Sequence, residues 1–253
     1  MSGREAARRV GMAQARLSRM ETGRRVPDDT DIRALCKAYK ASQEVRQRLL
    51  SQARELRAGI VPARTVLHRH GGHTMQERIS RIEHASGGVL SFNPALVIGL
   101  LHTEGYARAL LSGRYHGEDL QRMVAARIAR QKILDTEFTA HFVLTEGALR
   151  WHVGSPAVMA QQMEHIAATA GRTNVRLGVI PWTRPNVHPV LHPFQIYDEQ
   201  AVMVGTEIAT AVHTDTHDVA DYVHRFEIYA GLADYGDAAA ATLARVAAEY
   251  RAL

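Results

Sequence analysis

Gly3 to Gly23, GREAARRVGMAQARLSRMETG, reads as two short helices around a tight turn, with arginines on the second. Ser2 and Glu5 have the S-x-x-E spacing of a capping box, so the first helix is expected to begin at Gly3. Ala6, Ala7 and Val10 give it one small apolar face. Gly11 then supplies a residue that takes positive φ at low cost, and Met12 closes the turn. The second helix buries Leu17 and Met20, three residues apart, which leaves Gln14, Ala15, Arg16 and Arg19 on or near the outward side. Glutamine paired with adenine and arginine paired with guanine are the contacts that major-groove geometry favours, and the start of a recognition helix is where they are made. Gly23 is placed to end the helix. Those four residues are therefore the base-contact candidates. Ser2, Gly3, Arg4, Thr22, Arg24 and Arg25 are the phosphate-contact candidates around them.

Charge follows the same division. Residues 1–60 hold 14 Lys and Arg against 7 Asp and Glu, whereas residues 61–253 hold 17 against 19. The whole basic excess is N-terminal, and a localised basic domain attracts phosphate in a salt-dependent way.

On these residues the stretch resembles the lambda-repressor-like (XRE) class of helix-turn-helix regulators, with Gly11-Met12-Ala13-Gln14 at the turn and the start of the recognition helix. Glu21 to Pro27, ETGRRVP, is similar to the loop that follows that helix. The resemblance implies operator binding by a symmetric homodimer on double-stranded DNA. It also implies a further helix ahead of the motif. Met1 sits where that helix should already have ended, so the leading helix is expected to be missing and the face around Ala7, Val10 and Leu17 to be exposed.

The rest of the first domain is expected to be helical, over about 31–39 after the turn Pro27-Asp28-Asp29-Thr30 and over about 42–58. The second of these would place Val45, Leu49, Ala53 and Leu56 on one side. Cys36, the single cysteine, falls with Ile32, Leu35 and Tyr39 and reads as core packing; one cysteine also excludes an intrachain disulfide and suits a cytoplasmic protein. Residues 59–74, with Pro62, Gly71 and Gly72, lack periodicity and are expected to be a linker between a domain at 1–58 and another at 75–253.

Helical patterning resumes at about 75–86, 94–112 and 118–136, the last with a stripe of Leu120, Val124, Ile128 and Ile133. Thr139 to Thr145 and Val175 to Ile180 are β-rich around a helical 156–169, a strand–helix–strand pattern. Phe194–Tyr197 and Ala201–Val204 suggest a hairpin, and helices are expected at about 216–233 and 238–251. The expected fold class is thus a mainly α helix-turn-helix domain followed by an α+β domain. Leu96 to Arg108, Val124 to Gln131, Phe142 to Arg150 and Asn174 to Pro181 are similar to the domain of unknown function that follows such a motif in many actinobacterial regulators. His102 stands where that family leads one to expect glutamine. Some relatives are grouped with antitoxins, so the resemblance implies regulation, and contact with a small partner protein is the alternative to ligand sensing.

Catalysis finds no support: G-x-S-x-G, G-x-x-x-x-G-K-[ST], H-E-x-x-H and G-x-G-x-x-G are all absent. His213, Asp215 and His217 are the best metal candidates, but the helical pattern that follows at once makes Thr216 or Asp215 a helix cap instead. No metal and no cofactor is expected. His188 and His192 fall in a Pro-rich loop beside Trp182, a loop placed to cover a pocket. No apolar run approaches the length of a membrane span.

Overall fold

The computed structural model describes residues 3–21, 25–57, 66–68, 79–206 and 209–253, and the side chains of all of these except 4, 55–57 and 66–68. The chain divides into two compact units, Met1–Arg64 and Thr65–Leu253.

The first unit is helical. Helix α1 (Gly3–Arg9) is followed by Gly11 at φ +67, the left-handed conformation the turn requires, and then by α2 (Gln14–Glu21). Ala6, Ala7 and Leu17 are buried with Met12, Met20 and Leu35 packed against them. The expected exposure of Ala7 and Leu17 is therefore not found, because Leu35 on α3 (Asp29–Ala38) covers this face; Val10 alone is half-buried. Cys36 packs with Ile32, Leu50 and Ala53, the last two from α4 (Gln43–Arg57). Leu50 takes the core position expected for Leu49, which is exposed, and Tyr39 points outward at the end of α3. Ala53 holds its expected place in that stripe, and only Leu49 gives way to its neighbour.

The second unit is built on a mixed seven-stranded sheet among the described residues, in the order β1-β7-β6-β5-β2-β3-β4. The strands are β1 (Val66–His68), β2 (Gly88–Asn93), β3 (Thr139–Thr145), β4 (Val175–Ile180), β5 (Phe194–Tyr197), β6 (Ala201–Gly205) and β7 (Ala209–His213). β2, β3 and β4 are parallel, and the other pairings are antiparallel. Strand β1 lies inside the stretch expected to be a linker and pairs with β7, which corrects that reading for residues 66–68. The helices are α5 (residues 79–84), α6 (Glu104–Ser112), α7 (Gly117–Arg130), α8 (Glu146–Arg150), α9 (Pro156–Ala170), α10 (Thr216–Leu232) and α11 (Gly236–Arg251).

Alternation along the strands divides the core in two, since successive side chains point to opposite faces. Ala140, Phe142 and Leu144 of β3 belong to the cluster with Met159, Met163 and Ile166 of α9 and Leu243 and Val246 of α11. Val143 points the other way, into the cluster with Phe226 and Tyr229 of α10. The helix expected over 94–112 is interrupted: a 3-10 turn at Gly99–Leu101 precedes α6, whose N-cap is Thr103. Two glutamines hold this loop. Gln162 accepts from the Thr103 backbone N–H at 2.7 Å and donates to the Leu101 carbonyl, while Gln131 donates to the His102 carbonyl at 2.6 Å.

His102 is 1% exposed, and its Nε2 donates to the Val97 carbonyl at 2.8 Å. Burial, reinforced by Arg127, pushes it down to about 3, and burial likewise pushes His141 down to about 4. Each is lowered below its unfolded value. The unfolded chain therefore takes up protons that the folded chain refuses, so this stabilisation is whole above about pH 6.5 and is lost as pH falls from there. For His102 alone the loss between pH 7 and pH 5 is about 2 kcal/mol. Both tryptophans, Trp151 and Trp182, lie in this unit, so the midpoint of urea unfolding followed by their emission reports it. That midpoint should fall across this window, and His102→Gln, which keeps a donor for Val97, should flatten the dependence.

Candidate nucleic-acid interface

Helix α2 presents three different kinds of side chain. Leu17 is buried, Gln14, Ala15 and Arg19 are exposed, and Arg16 lies between. The Arg19 Nε donates to the Ala15 carbonyl at 3.2 Å, which lays its guanidinium along the outer side of the helix. Arg8 and Arg9 are exposed on α1, and Arg25 is exposed in the segment before α3. Gly3, at the start of α1, is half-buried, with the Glu21 carboxylate 3.4 Å from where a Cβ would stand. Ser2, Thr22 and Arg24, three of the expected phosphate contacts, lie outside the described residues, as does the side chain of Arg4.

Arg16 is committed elsewhere. Its Nη2 donates to Asp28 at 3.0 Å and to Asp31 at 2.9 Å, and the Asp31 side chain is nearly inaccessible, at 5%. Those aspartates are already reciprocal partners. Asp28 accepts from the Asp31 N–H at 2.8 Å and Asp31 accepts from the Asp28 N–H at 3.2 Å, a capping box at the start of α3. Two carboxylates in one cap repel each other. A single guanidinium shared between them offsets that repulsion and pins α2 to the beginning of α3. The Asp31 N–H, with Arg16 beside it, holds the Asp28 carboxyl below the usual carboxylate range, and Asp31 in turn raises Arg16. The sequence reading missed this role. Its signal was present in Asp28 and Asp31 at the start of the next helix, two carboxylates in need of a cation.

The second unit does not assemble a catalytic or metal centre from the residues singled out. Asp215 caps α10 and accepts from the His217 N–H at 3.1 Å, and His213 lies 3.5 Å from Asp218. No cluster of three or more His, Cys, Asp and Glu fit to hold a metal occurs among the described residues. Trp182 is 66% exposed, with the Arg150 guanidinium 5.2 Å from its ring centre. His192 meets the Tyr222 hydroxyl at 3.3 Å, and Tyr229 donates to the Pro189 carbonyl at 2.8 Å, so the loop is tied to α10.

Comparison with known families gives two matches. Residues 1–49 match a helix-turn-helix domain, and residues 76–245 match the domain of unknown function DUF5753. The chain belongs to the DUF5753 family. The DUF5753 domain covers α5–α10, β2–β7 and the larger part of α11, and the helix-turn-helix match takes in α1 to α3. Curated proteins give no match. Among solved structures, a phospholipase D family member, Nuc from Salmonella typhimurium, is 10% identical at a TM-score of 0.41, covering 68% of this chain and 96% of its own. TrmBL2, an archaeal chromatin protein described with a novel mode of DNA binding, is 14% identical at a TM-score of 0.37, covering 82% of this chain and 69% of its own. At these scores neither likeness defines the fold or the function of the DUF5753 chain.

The two roles on α2 separate experimentally. Asp31→Ala removes the acceptor that closes the cap and holds Arg16, a loss of about 1–2 kcal/mol. Amide hydrogen exchange over residues 29–38 should accelerate in Asp31→Ala and in Arg16→Ala. In Arg19→Ala it should remain as in the parent.

Proposed function

We propose that this protein is a sequence-specific, double-stranded-DNA-binding transcription regulator, whose N-terminal unit reads an operator and whose DUF5753 domain carries the regulatory input. The observation that supports this best is the outward set of Gln14 and Ala15 at the start, and Arg19 in the last turn, of the second helix of a matched helix-turn-helix domain. The basic excess of residues 1–60 lies in the same unit. In this reading Gln14, Ala15 and Arg19 contact bases, and Gly3, Arg25 and the charged residues Arg4 and Arg24 contact phosphate together with Ser2 and Thr22. Arg16 orients the helix rather than reading a base. A homodimer on a palindromic site is the arrangement such a motif suits, and the cytoplasm is the compartment. Among the described residues no helix is long and apolar enough to cross a membrane.

A second reading, an antitoxin-type protein that binds a small partner protein and autoregulates through DNA, is favoured by one feature. Trp182, Val187, Val190 and Leu191 leave an apolar stretch exposed on a single loop. Under that reading Val187→Asp and Leu191→Asp abolish co-purification of the partner and spare DNA affinity.

DNA fragments selected by the protein test the first reading. Gln14→Ala and Arg19→Ala should each lose about 1–3 kcal/mol of discrimination at one base position. Equal ratios of specific to random binding in parent and variants would overturn this register of the helix.

The division of labour predicts a further result. Residues 65–253 alone should bind duplex DNA without the steep salt dependence of the full chain, because residues 61–253 carry more acidic than basic groups. Filter binding at two salt concentrations measures it.

A further inference from the structure

In the DUF5753 unit, one half of the sheet face opposite α10 is not covered by α9 and α11. Ser91 of β2 stands opposite Gln195 of β5, and Gln195 stands opposite Met203 of β6, so these three form a row across neighbouring strands. Parity along β2 and β5 places Ser91 with Val89 and Gln195 with Tyr197, on the face that elsewhere packs in the main apolar cluster. A buried sheet face that turns polar where the helices stop covering it is wasteful unless something else satisfies it. Above the row lies a cavity of about 500 Å³, roofed by the loop at 97–102 and by α6 and α7.

His102 belongs to that roof. Its Nε2 must carry the proton, since it faces the Val97 carbonyl, so the neutral ring leaves a lone pair on Nδ1. That Nδ1 is buried and has no hydrogen-bond partner among the described residues, and His102 is one of the residues that line the cavity. Depressed as it is to about 3, the ring remains neutral and the lone pair open at physiological pH. An orphaned acceptor of this kind calls for an O–H or N–H donor. The charged side chains on the described wall are all arginines, namely Arg114, Arg127 and Arg130, the last held by Glu83 at 2.9 Å. Gly99 lets Arg127 come close: a Cβ there would stand 3.0 Å from the Arg127 Nη1. Ile79, Leu96 and Met123 supply apolar surface.

We propose that this cavity binds a small hydroxy acid, with the ligand hydroxyl donating to His102 Nδ1, the acid group facing Arg127 and the body lying over Ser91, Gln195 and Met203. The proposal rests on the regulatory reading of this unit and supplies its ligand class. A donor and an acid on one apolar body match the three kinds of group the wall presents, and a few placed polar groups in a largely apolar cavity are what ligand sites of this size use.

The three isomers of hydroxybenzoate, with benzoate and the methoxybenzoates as controls, span a range of separations between donor and acid. Titrated calorimetrically into the full chain, at least one hydroxy isomer should bind ten-fold or more tightly than benzoate and its methoxy counterpart. The 15N resonance of His102 Nδ1 should shift as its lone pair is engaged, a readout that needs no variant. His102→Phe should reduce the preferred isomer to the benzoate level, and Arg127→Met should weaken it ten-fold. Hydroxy isomers that bind no better than benzoate, or that leave Nδ1 unshifted, overturn the site. Binding that shifts Nδ1 but leaves affinity for the selected DNA unchanged upholds the site and overturns the regulatory reading.

Discussion

Strand β3 is hydrogen-bonded along both edges and covered on both faces, and the larger unit is arranged around that fact. With β2 on one side and β4 on the other, its backbone is paired along both edges, so its side chains alone decide what packs above and below. Phe142, Val143 and Leu144 are all completely buried, two facing α9 and α11 and one facing α10. A strand buried on both sides cannot slip by one residue without exchanging the two cores, which ties its register to both helix layers at once. Gly178, on the adjacent β4, carries the same constraint outward: a Cβ there would come within 2.7 Å of the Tyr235 ring and 2.8 Å of the Ala233 methyl.

How much was legible depended on whether the burial was one- or two-sided and on how local its cause was. The β3–α9–β4 unit and the β5–β6 hairpin were readable because TAHFVLT and VRLGVI are dense in β-branched and aromatic residues, and because Asp198 and Glu199 break the hairpin with positive φ. β2 and β7 were not. GVLSFN and ATAVH mix small and polar residues with apolar ones, and in β2 the polar Ser91 falls on a buried face. Alternation signals a strand only when one face is wet, so a polar residue facing an internal cavity erases the signal. The candidate site was legible in part for the same kind of reason. The outward set on α2 follows from a helical period, but the commitment of Arg16 depends on two aspartates 12 and 15 residues away in sequence, a contact no period encodes.

Arg16 and His102 show opposite ways of placing a polar group under cover. The Arg16 Nη2 answers both Asp28 and Asp31, while its buried Nε has no hydrogen-bond partner among the described residues, and the cluster works as a fastener between two helices. Glu83 and Arg130 follow that pattern in the larger unit, fully enclosed and paired in two places. His102 has one ring nitrogen satisfied by the loop it belongs to and the other left over. Buried polar atoms that are fully partnered specify a conformation, whereas a leftover one is costly in the empty state and becomes useful only when something fills the space.

The order of strands also bears on how the chain is made. β2 is complete by residue 93, yet its partner on one edge, β5, begins only at residue 194. A ribosome emits the intervening hundred residues over roughly five to twenty seconds at ordinary rates of synthesis. Once β3 has been made, at residue 145, the growing chain can pair β2 with it but leaves the opposite edge of β2 open, a row of unpaired peptide groups beside Phe92 and Val89 that would template pairing with any neighbouring strand. Charged flanks and early chaperone capture are thus demands placed on the nascent chain by the finished sheet, and truncations ending between 145 and 193 will be the insoluble ones.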